Sequence, residues 1–318
     1  MPNPKVVVVG SFVQDLTWKC KEFPCPGETT IGFFKTGPGG KGSNQAIAAG
    51  RAGVDTMFIG AVGNDAFAVE AQAFYKSEGI ACRLAGKRNH ATGTAAIMVS
   101  SSGQNEIVVA LGANGVLAKK DVPAAILRRA EVVVSQLESN LQTAAHVLKT
   151  AKLAGATTVL NPAPMRPDFP PSLLRHVDVL IPNETEFTVL VNTLPQFGGR
   201  KFRESELQAI GAPELHQLCR KFKVPNVIVT LGSRGCFVSA ENGHHLIPAY
   251  TGIKVVDTTG AGDAFVGGFA AGLIKFKKDF LGAARFGNAV AALSVTKFGT
   301  APSMPRAKEI VKFLRARS

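Results

Sequence analysis

Short apolar runs rich in β-branched residues alternate with longer amphipathic segments along most of the chain. The apolar runs predict strands at Val6–Val9, Met57–Ile59, Val132–Val134, Thr158–Leu160, Val179–Ile181 and Val227–Thr230. The amphipathic segments predict helices at Ser43–Ala52, Ala66–Glu78, Leu141–Ala154, Glu184–Val191 and Ala212–Phe222. Strands and helices that alternate in this way are typical of a largely parallel sheet with helices on both faces. We therefore expect an α/β protein.

Two segments interrupt this alternation. Glu28–Lys35 predicts a strand outside the series, and Thr92–Ala110 predicts a hairpin around the turn Ser101–Gln104. Together they predict a small sheet over one edge of the main domain. The stretch from Asn192 to Glu206 shows neither period clearly and is predicted to be a surface excursion.

The sequence VDTTGAGDAF, from Val256 to Phe265, sets two carboxylates around a glycine-rich turn. Lys254–Val256 predicts the end of a short strand, and Ala264–Ile274 predicts a helix buried on most sides. The turn Thr259–Gly262 would expose backbone N–H groups at a helix N-terminus, where the helix dipole favours an anion. Asp263 would repel a resting phosphate. It either accepts a proton from an attacking hydroxyl or only caps the helix, and this stretch alone leaves both readings open.

Composition narrows the classes of protein. The 318 residues, 46% of them hydrophobic, suffice for two ordinary domains or one large α/β domain with an elaboration. No stretch approaches the roughly 20 apolar residues of a membrane span, and the N-terminus does not resemble a signal peptide. The five cysteines form no CxxC pair, which predicts free thiols and a cytoplasmic location. The net charge of +13 admits nucleic-acid binding, but the excess is scattered, and two tyrosines and one tryptophan offer few stacking surfaces.

Neither common phosphate motif is complete. A P-loop needs Ser or Thr after its lysine, but within Gly37–Asn44 a glycine follows Lys41. The dinucleotide fingerprint that begins at Gly260 fails at its sixth position, Phe265. What remains is two glycine-rich turns, each of which leads into a helix. The glycines before Lys41 would let the backbone approach a ligand closely, and the amide of Asn44 suits a polyol.

Eight motifs extend this pattern from one end of the chain to the other. They are GGKGSNQAIAAGRAG (Gly39–Gly53), GAVGNDAF (Gly60–Phe67), ATGTAAI (Ala91–Ile97), QLES (Gln136–Ser139), NPAP (Asn161–Pro164), PNETE (Pro182–Glu186), TLGSRG (Thr230–Gly235) and DTTGAGDAFVGGF (Asp257–Phe269). In this order the motifs resemble those of the ribokinases, within the ribokinase-like superfamily of carbohydrate kinases. The resemblance implies a three-layer α/β/α, doubly wound, mostly parallel sheet with a small β-sheet lid. It assigns residues 1–12, 41–90 and 111–318 to the core and residues 13–40 and 91–110 to the lid.

The resemblance also implies an activity, the ATP-dependent phosphorylation of the 5-hydroxyl of D-ribose to D-ribose 5-phosphate with release of ADP. Asp263 is implied as the general base, and the backbone N–H groups of Gly260, Ala261 and Gly262 as the anion hole. The implied sugar-binding residues, besides Asp263, are Asp15, Gly40, Lys41, Gly42, Ser43, Asn44 and Glu138.

The remaining roles implied by the resemblance concern ATP and two metal ions. The nucleotide-binding residues would be Asn183, Glu186, Thr230, Leu231, Gly232, Ser233, Arg234, Gly235, Gly262 and Asn288. Among them, Asn183 and Glu186 would organise Mg²⁺ and its waters. K⁺ would be bound by Asp257, by the carbonyl groups of Thr259, Ser294, Lys297 and Gly299, and by the hydroxyl of Ser303.

Departures from the family pattern affect the choice of sugar more than the chemistry. Val13 stands where bacterial ribokinases often have Asn in contact with the sugar. A 2-deoxyribose kinase, another sugar or nucleoside kinase, or a catalytically silent sugar-binding regulator therefore stays open as an alternative. We expect a homodimer through the lid, because its apolar Ile31, Phe33 and Ile97 need a cover. No nucleic-acid or membrane partner is expected.

Overall fold

The computed structural model describes residues 4–199 and 201–317. The strands are β1 (Val6–Val9), β2 (Val13–Lys19), β3 (Phe33–Gly39), β4 (Thr56–Val62), β5 (Ala81–Gly86), β6 (Gly93–Val99), β7 (Asn105–Ala110), β8 (Val132–Ser135), β9 (Thr157–Leu160), β10 (Val179–Leu180), β11 (Asn226–Thr230), β12 (Cys236–Ala240) and β13 (Gly243–Ile247). The helices are α1 (Lys41–Arg51), α2 (Ala66–Glu78), α3 (Ala124–Leu127), α4 (Leu141–Leu153), α5 (Glu184–Thr193), α6 (Glu204–Ala209), α7 (Ala212–Lys221), α8 (Ala261–Lys275), α9 (Phe280–Ser294) and α10 (Ala307–Arg315). Residues 1–3, 200 and 318 of the predicted core lie outside the described residues.

The larger sheet has the strand order β13-β12-β11-β10-β9-β8-β1-β4-β5. Every neighbouring pair from β5 to β11 is parallel, and β12 and β13 are added antiparallel at one edge. The predicted mostly parallel sheet is therefore confirmed. The order reverses at β1, whose two neighbours are β4 and β8. In open α/β sheets, ligands bind beyond the carboxyl ends of the strands at such a reversal.

Helices cover both faces of this sheet, and β1 shows why. Its run of four valines is completely buried, as a central parallel strand requires. Val6 and Val8 pack in one apolar cluster with α1, α8 and α9, whereas Val7 and Val9 pack in another with α4. Because successive side chains of a strand point to opposite faces, this alternation produces the three-layer α/β/α architecture.

A smaller sheet has the order β3-β2-β6-β7. The predicted hairpin of Thr92–Ala110 is present as β6 and β7, which pair antiparallel on either side of residues 100–104. The other predicted strand is displaced, because β3 begins at Phe33 and runs to Gly39, so that Glu28–Gly32 precedes it. Apolar side chains are exposed to solvent on both faces of this sheet: Phe33 is 84% exposed on one face, and Val108 is 74% exposed on the other.

Two local predictions are wrong. Lys254–Val256 is not a strand: the N–H of Val256 donates to Val295 O across a loop, and the Val256 side chain is more than half exposed. Nor is the stretch Asn192–Glu206 only a surface excursion. It ends α5, begins α6, and buries Phe197 and Phe202 against an apolar cluster that includes α7. Within residues 4–199 and 201–317, the structure contains no helix long and apolar enough to cross a membrane.

Candidate active site

Helix α8 begins at the floor of a cleft with an empty volume of about 540 Å³. Gly260 is its N-cap and has a φ of 78°, a left-handed conformation that glycine adopts without strain. The first turn then brings Ala261, Gly262 and Asp263 to the cleft wall. The N-terminus therefore directs backbone N–H groups and the positive end of its dipole toward the cleft. Of these groups, the N–H of Ala261 also donates to Thr258 O at 3.1 Å.

Asp263 does not cap α8. It is buried, and both carboxylate oxygens accept side-chain hydrogen bonds from α1: Asn44 Nδ2 lies 2.9 Å from Oδ2, and Gln45 Nε2 lies 2.9 Å from Oδ1. Such contacts require α1 and α8 to approach closely. Gly267 permits this, because a Cβ there would collide with Gln45 O. The reading of Asp263 as only a helix cap is therefore wrong.

Burial raises the pKa of Asp263, while the positive charge of Lys41 and the hydrogen bonds from Asn44 and Gln45 act in the opposite direction. Gln45 Nε2 also lies 3.0 Å from Asn161 Oδ1, and Gln45 Oε1 accepts from Gln136 Nε2 at 2.6 Å. Gln45 was missed by the sequence reasoning. Its signal was a polar residue directly before the apolar Ala46–Ala49 run of the helix.

The two predicted sugar-binding carboxylates near Asp263 are those of Glu138 and Asp15. Glu138 Oε2 accepts from Ser11 Oγ at 2.7 Å and from the backbone N–H of Lys41 at 3.0 Å. Asp15 Oδ2 accepts from Thr300 Oγ1 at 3.1 Å. Burial raises the pKa of Asp15 to about 7, with further increases from Glu138 and Asp263 and opposing contributions from Thr300 and Lys41. The cluster is thus acidic and partly dehydrated.

The glycine-rich turn before α1 lies beside the carboxylates of Asp263, Glu138 and Asp15. Gly40, the N-cap of α1, has a φ of 88°, which turns the chain sharply into the helix. Burial would lower the pKa of Lys41, but nearby carboxylates, foremost Asp263 and Glu138, outweigh it and raise the pKa. Gly42 packs against the backbone of β1's end, where a Cβ would lie 2.8 Å from Gly10 Cα. Ser43 does not reach the cluster, because its hydroxyl is buried and accepts from Tyr75 in α2 at 2.8 Å.

The predicted nucleotide-binding residues lie along the carboxyl ends of β10 and β11. Asn183 and Glu186 form a reciprocal capping box at the start of α5, with N···O distances of 2.7 and 2.9 Å. Burial raises the pKa of Glu186. Thr230 pairs with Asn183 in an isolated parallel bridge, which draws the loop that follows β11 to the cleft.

That loop, Leu231–Gly235, is a tight turn closed by a 2.8 Å hydrogen bond from the backbone N–H of Leu231 to Gly235 O. Gly232 and Ser233 form its apex, and the Arg234 guanidinium pairs with Glu184 of α5. Asn288, also predicted to bind the nucleotide, lies on α9 and not at the end of a strand. Its amide is buried and donates to Ile247 O at 3.3 Å and to Pro248 O at 3.2 Å.

The residues predicted to bind K⁺ surround a loop junction beneath the turn. Asp257 Oδ1 accepts from the N–H of Thr259 at 2.9 Å, and Oδ2 accepts from the N–H of Gly299 at 2.9 Å. Within the described residues, no hydrogen-bond donor reaches the carbonyl oxygens of Thr259, Lys297 or Gly299. Ser294 O accepts from the N–H of Lys297, and the Ser303 hydroxyl donates to Thr300 O at 2.7 Å. The donor set is therefore made of hard oxygen atoms.

In residues 4–199 and 201–317, no cluster of three or more His, Cys, Asp or Glu side chains could hold a metal ion. A divalent ion at this cleft would need phosphate and water oxygens besides Glu186, as Mg²⁺ commonly uses. The arrangement as a whole combines a buried carboxylate, a group of polar acceptors on one side and a helix N-terminus on the other. It suits proton removal from a hydroxyl beside a bound anion.

Comparison with known proteins agrees with this geometry. Residues 3–307 match the family model described as pfkB family carbohydrate kinase. Among curated relatives, the ribokinase of Haemophilus influenzae is 34% identical over 313 residues, which cover 97% of this chain and 98% of that protein. The ribokinase of Mus musculus is 35% identical over 312 residues, with 96% and 93% covered. The chain therefore belongs to the pfkB family of carbohydrate kinases.

Solved structures extend the similarity to three dimensions. The structure of ribokinase from Giardia lamblia has a TM-score of 0.89 with 33% identity and covers 100% of both chains. The ribokinase of Arabidopsis thaliana, described as complexed with ribose and ATP, has a TM-score of 0.83 with 31% identity and covers 98% of this chain and 99% of its own. The ribokinase-like fold implied by the sequence motifs is thus confirmed.

Proposed function

We propose that this chain acts as an ATP-dependent ribose kinase, which transfers the γ-phosphoryl group of ATP to the 5-hydroxyl of D-ribose. The products are D-ribose 5-phosphate and ADP. The observation that carries the proposal is the buried Asp263 carboxylate, which lies between an acidic, polar cluster and the N-terminus of α8. The ribokinases of about one-third identity support the choice of acceptor and donor.

Asp263 is the general base in this proposal. In its ionised form it accepts the proton of the 5-hydroxyl as the oxygen attacks the γ-phosphorus atom. Asn44 and Gln45 hold the two carboxylate oxygens, so the carboxyl group has one orientation. Its raised pKa also makes it a stronger base than an exposed aspartate, which supports proton removal near neutral pH.

The sugar is bound by polar groups with unused hydrogen-bonding capacity. Asn44 Oδ1 is buried without a hydrogen-bond partner among the described residues. Such an orphan acceptor is costly unless a ligand supplies a donor. Asp15 and Glu138 add acceptors for further sugar hydroxyls, and Lys41 offers a compensating positive charge. This acceptor-rich composition suits a polyol whose hydroxyls donate.

The transferring phosphoryl group is stabilised by the N-terminus of α8. Backbone N–H groups of Gly260, Ala261 and Gly262 form the anion hole, and the exposed position of Gly262 leaves that turn open to the ligand. Donors held rigidly at a helix start need no reorganisation when charge develops. The loop Thr230–Gly235 binds the remainder of ATP. Asn288 supports this loop from behind, because its amide nitrogen donates to Ile247 O and Pro248 O, against which Gly235 packs.

Two metal ions belong to the proposal. Mg²⁺ bound with the nucleotide neutralises phosphate charge, and Asn183 and Glu186 would hold it through water. K⁺ would be held by the Asp257 carboxylate, the Ser303 hydroxyl and the carbonyl groups of Thr259, Ser294, Lys297 and Gly299. Among the described residues, no donor reaches the carbonyl oxygens of Thr259, Lys297 and Gly299. Hard oxygen donors fit such an ion. The chain's own contribution is to fix the Asp257–Thr259 backbone and thereby orient the N–H groups of the turn.

The smaller sheet is proposed as a lid, formed by residues 13–40 and 91–110, on a core formed by the rest of the chain. Its exposed apolar residues, Phe33, Phe34, Val108 and Trp18 among them, support dimerisation through the lid. We also propose a cytoplasmic location, which the five free cysteines support.

Initial rates of ADP formation with ribose, 2-deoxyribose, fructose and adenosine, each with and without K⁺, test the proposal. Ribose is expected to give the highest kcat/KM. A higher kcat/KM for another acceptor would show that this acceptor, and not ribose, is the substrate. Tight ribose binding with no ADP formation would instead favour the silent regulator.

A further inference from the structure

One hydroxyl group connects the smaller sheet to the loop beneath the anion-binding turn. Thr300 Oγ1 lies 3.1 Å from Asp15 Oδ2 and 3.3 Å from Pro38 O. Asp15 belongs to β2 and Pro38 to β3, whereas Thr300 follows α9 in the larger domain. Neither the sequence motifs nor their implied roles include this threonine.

Thr300 is the sole hydrogen-bond donor to the Asp15 carboxylate among residues 4–199 and 201–317. That carboxylate is mostly buried, and it lies so close to Gly39 that any side chain there would collide with it. A buried carboxylate with one protein donor keeps most of its acceptor capacity unused. One oxygen is held by Thr300, and the other is left for a ligand.

The position of Thr300 is itself determined by its neighbours in the loop. The preceding residue, Gly299, donates its N–H to Asp257 Oδ2 at 2.9 Å. The carbonyl oxygen of Thr300 accepts from the Ser303 hydroxyl at 2.7 Å. The hydroxyl of Thr300 is therefore presented from a loop that is hydrogen-bonded on both sides of it.

Arg51, at the end of α1, holds the next part of the same loop. Its Nη1 donates to the carbonyl oxygens of Ala301 and Met304, at 3.1 and 2.8 Å. The guanidinium is fixed by a 2.7 Å ion pair with Glu78, and the two side chains are only 10% and 9% exposed. The loop is thus anchored to the helix that also carries Asn44.

We propose that Thr300 is a positioning residue for the sugar. Its hydroxyl orients the Asp15 carboxylate, occupies Oδ2, and leaves Oδ1 to accept from a hydroxyl of the acceptor. This inference rests on the proposed function, because it assumes that a sugar is the ligand of Asp15. The bond also favours the ionised carboxylate, since a donor to a carboxylate stabilises its charged form.

Ribose binding in the absence of ATP, measured by titration calorimetry, separates this role from a structural one. Thr300→Val keeps the shape and removes the hydroxyl, so ribose affinity should fall about tenfold or more, as expected for a hydrogen bond to a charged group. Thr300→Ser restores the donor and should return affinity to within about threefold of the unmutated protein. Thr296→Val is the matched control, because among the described residues the Thr296 hydroxyl bonds only to Leu293 O, at 2.7 Å.

Kinetics supply the second readout. Thr300→Val should raise the KM for ribose while kcat at saturating ribose and the KM for ATP stay near their original values. Unchanged ribose affinity in Thr300→Val, or a Thr300→Ser variant as weak as Thr300→Val, would overturn the proposal. Equal losses for both substrates would also overturn it, because they would indicate a structural role. Should Thr300→Val fail to fold, Thr300→Ala takes its place.

A measurement without sugar distinguishes failure of this inference from failure of the proposed function. The Asp15 carboxyl can be followed by ¹³C NMR, with its signal assigned through Asp15→Asn. Thr300→Val should raise the pKa of Asp15 in the sugar-free protein. An unmutated protein that binds no ribose would refute the proposed substrate. An Asp15 pKa unchanged by Thr300→Val would refute the positioning contact itself.

Discussion

Replacing Gln45 by Met is predicted to move the pH dependence of phosphoryl transfer rather than to abolish transfer. Gln45 Nε2 lies 2.9 Å from Asp263 Oδ1, and the carboxylate has a second side-chain donor, Asn44, at 2.9 Å. Methionine has a similar length and removes the donor. The variant keeps the base and the Asn44 hydrogen bond, and it destabilises the charged carboxylate. It also removes the buried hydrogen bonds of Gln45 with Asn161 and Gln136, which should lower the stability of the fold without moving the pH dependence.

The size of the shift follows from the strength of one hydrogen bond to a charged group. Such a bond contributes about 1.5–3 kcal/mol, and one pKa unit corresponds to ~1.36 kcal/mol. The pKa of Asp263, already raised by burial, should therefore rise by about one to two further units. The ionised form is the active base, so the acidic limb of kcat against pH should move to higher pH by that amount, with activity recovered on the alkaline side.

The assay is the rate of ADP formation at saturating ribose and ATP across acidic to alkaline pH, since kcat reports the pKa of the bound enzyme. Asn192→Leu serves as a control, because its amide makes 2.8 Å hydrogen bonds with the backbone of Phe202 far from Asp263. Its pH profile should match that of the unmutated protein. An equal loss of activity at every pH in Gln45→Met, with the limb unmoved, would refute the reasoning.

Three further outcomes are expected. Asp15→Asn should leave stability unchanged below about pH 4, the pKa of an unfolded aspartate. Because the folded pKa of Asp15 is about 7, its ionisation in the buried site destabilises the fold as pH rises, so Asp15→Asn should raise the melting temperature above pH 7. Equal melting temperatures at all pH values would contradict this. Asp257→Ala should lower activity and remove the response to K⁺ at constant ionic strength, whereas a flat K⁺ response in the unmutated protein would exclude the ion from the mechanism. Phe34→Ser with Val108→Ser, two exposed residues on one face of the smaller sheet, should convert a dimer to monomers in sedimentation velocity, and a dimer that persists would exclude that face as the interface.

The alternating series of strands and helices was predictable because long periodic segments report burial directly. The run Val6–Val9 and the helix Leu141–Leu153 are buried where their patterns indicate. The edge of the larger sheet was not predictable in the same way. β13 carries Gly243, His244 and His245, and its exposed edge position removes the apolar pattern that marks an inner strand.

Local patterns also misled where tertiary contacts decide the structure. Val255 and Val256 favour a strand by composition, yet they pair with no strand in the part of the chain that the structure describes, and both side chains are more than half exposed. Phe197 and Phe202 lie among polar and glycine residues, but both are buried against the cluster around α7. Their burial depends on contacts distant in sequence, which periodicity does not reveal.

In the candidate site, too, some residues can be identified from sequence motifs and others only from tertiary contacts. Motifs with distinctive residues, such as the turn at Gly260 and the carboxylate of Asp263, were identifiable from the sequence. Gln45 and Thr300 were not identified, because a polar residue before an apolar run is a weak signal at Gln45, and Thr300 lies in none of the motifs. Their importance appears only when residues 218 and 285 positions apart come into hydrogen-bond contact.

The central claim is that Asp263 removes a proton from ribose while ATP is bound at the start of α8. The most direct measurement is the amount of ribose 5-phosphate and ADP formed by the unmutated protein and by Asp263→Asn, with ATP-analogue binding measured on both. The unmutated protein should form the two products in equal amounts. Asp263→Asn should bind the analogue normally but turn over at least ~10²-fold more slowly, as expected on loss of a general base. Near-normal turnover in Asp263→Asn, or ADP formed without ribose 5-phosphate by the unmutated protein, would contradict the account.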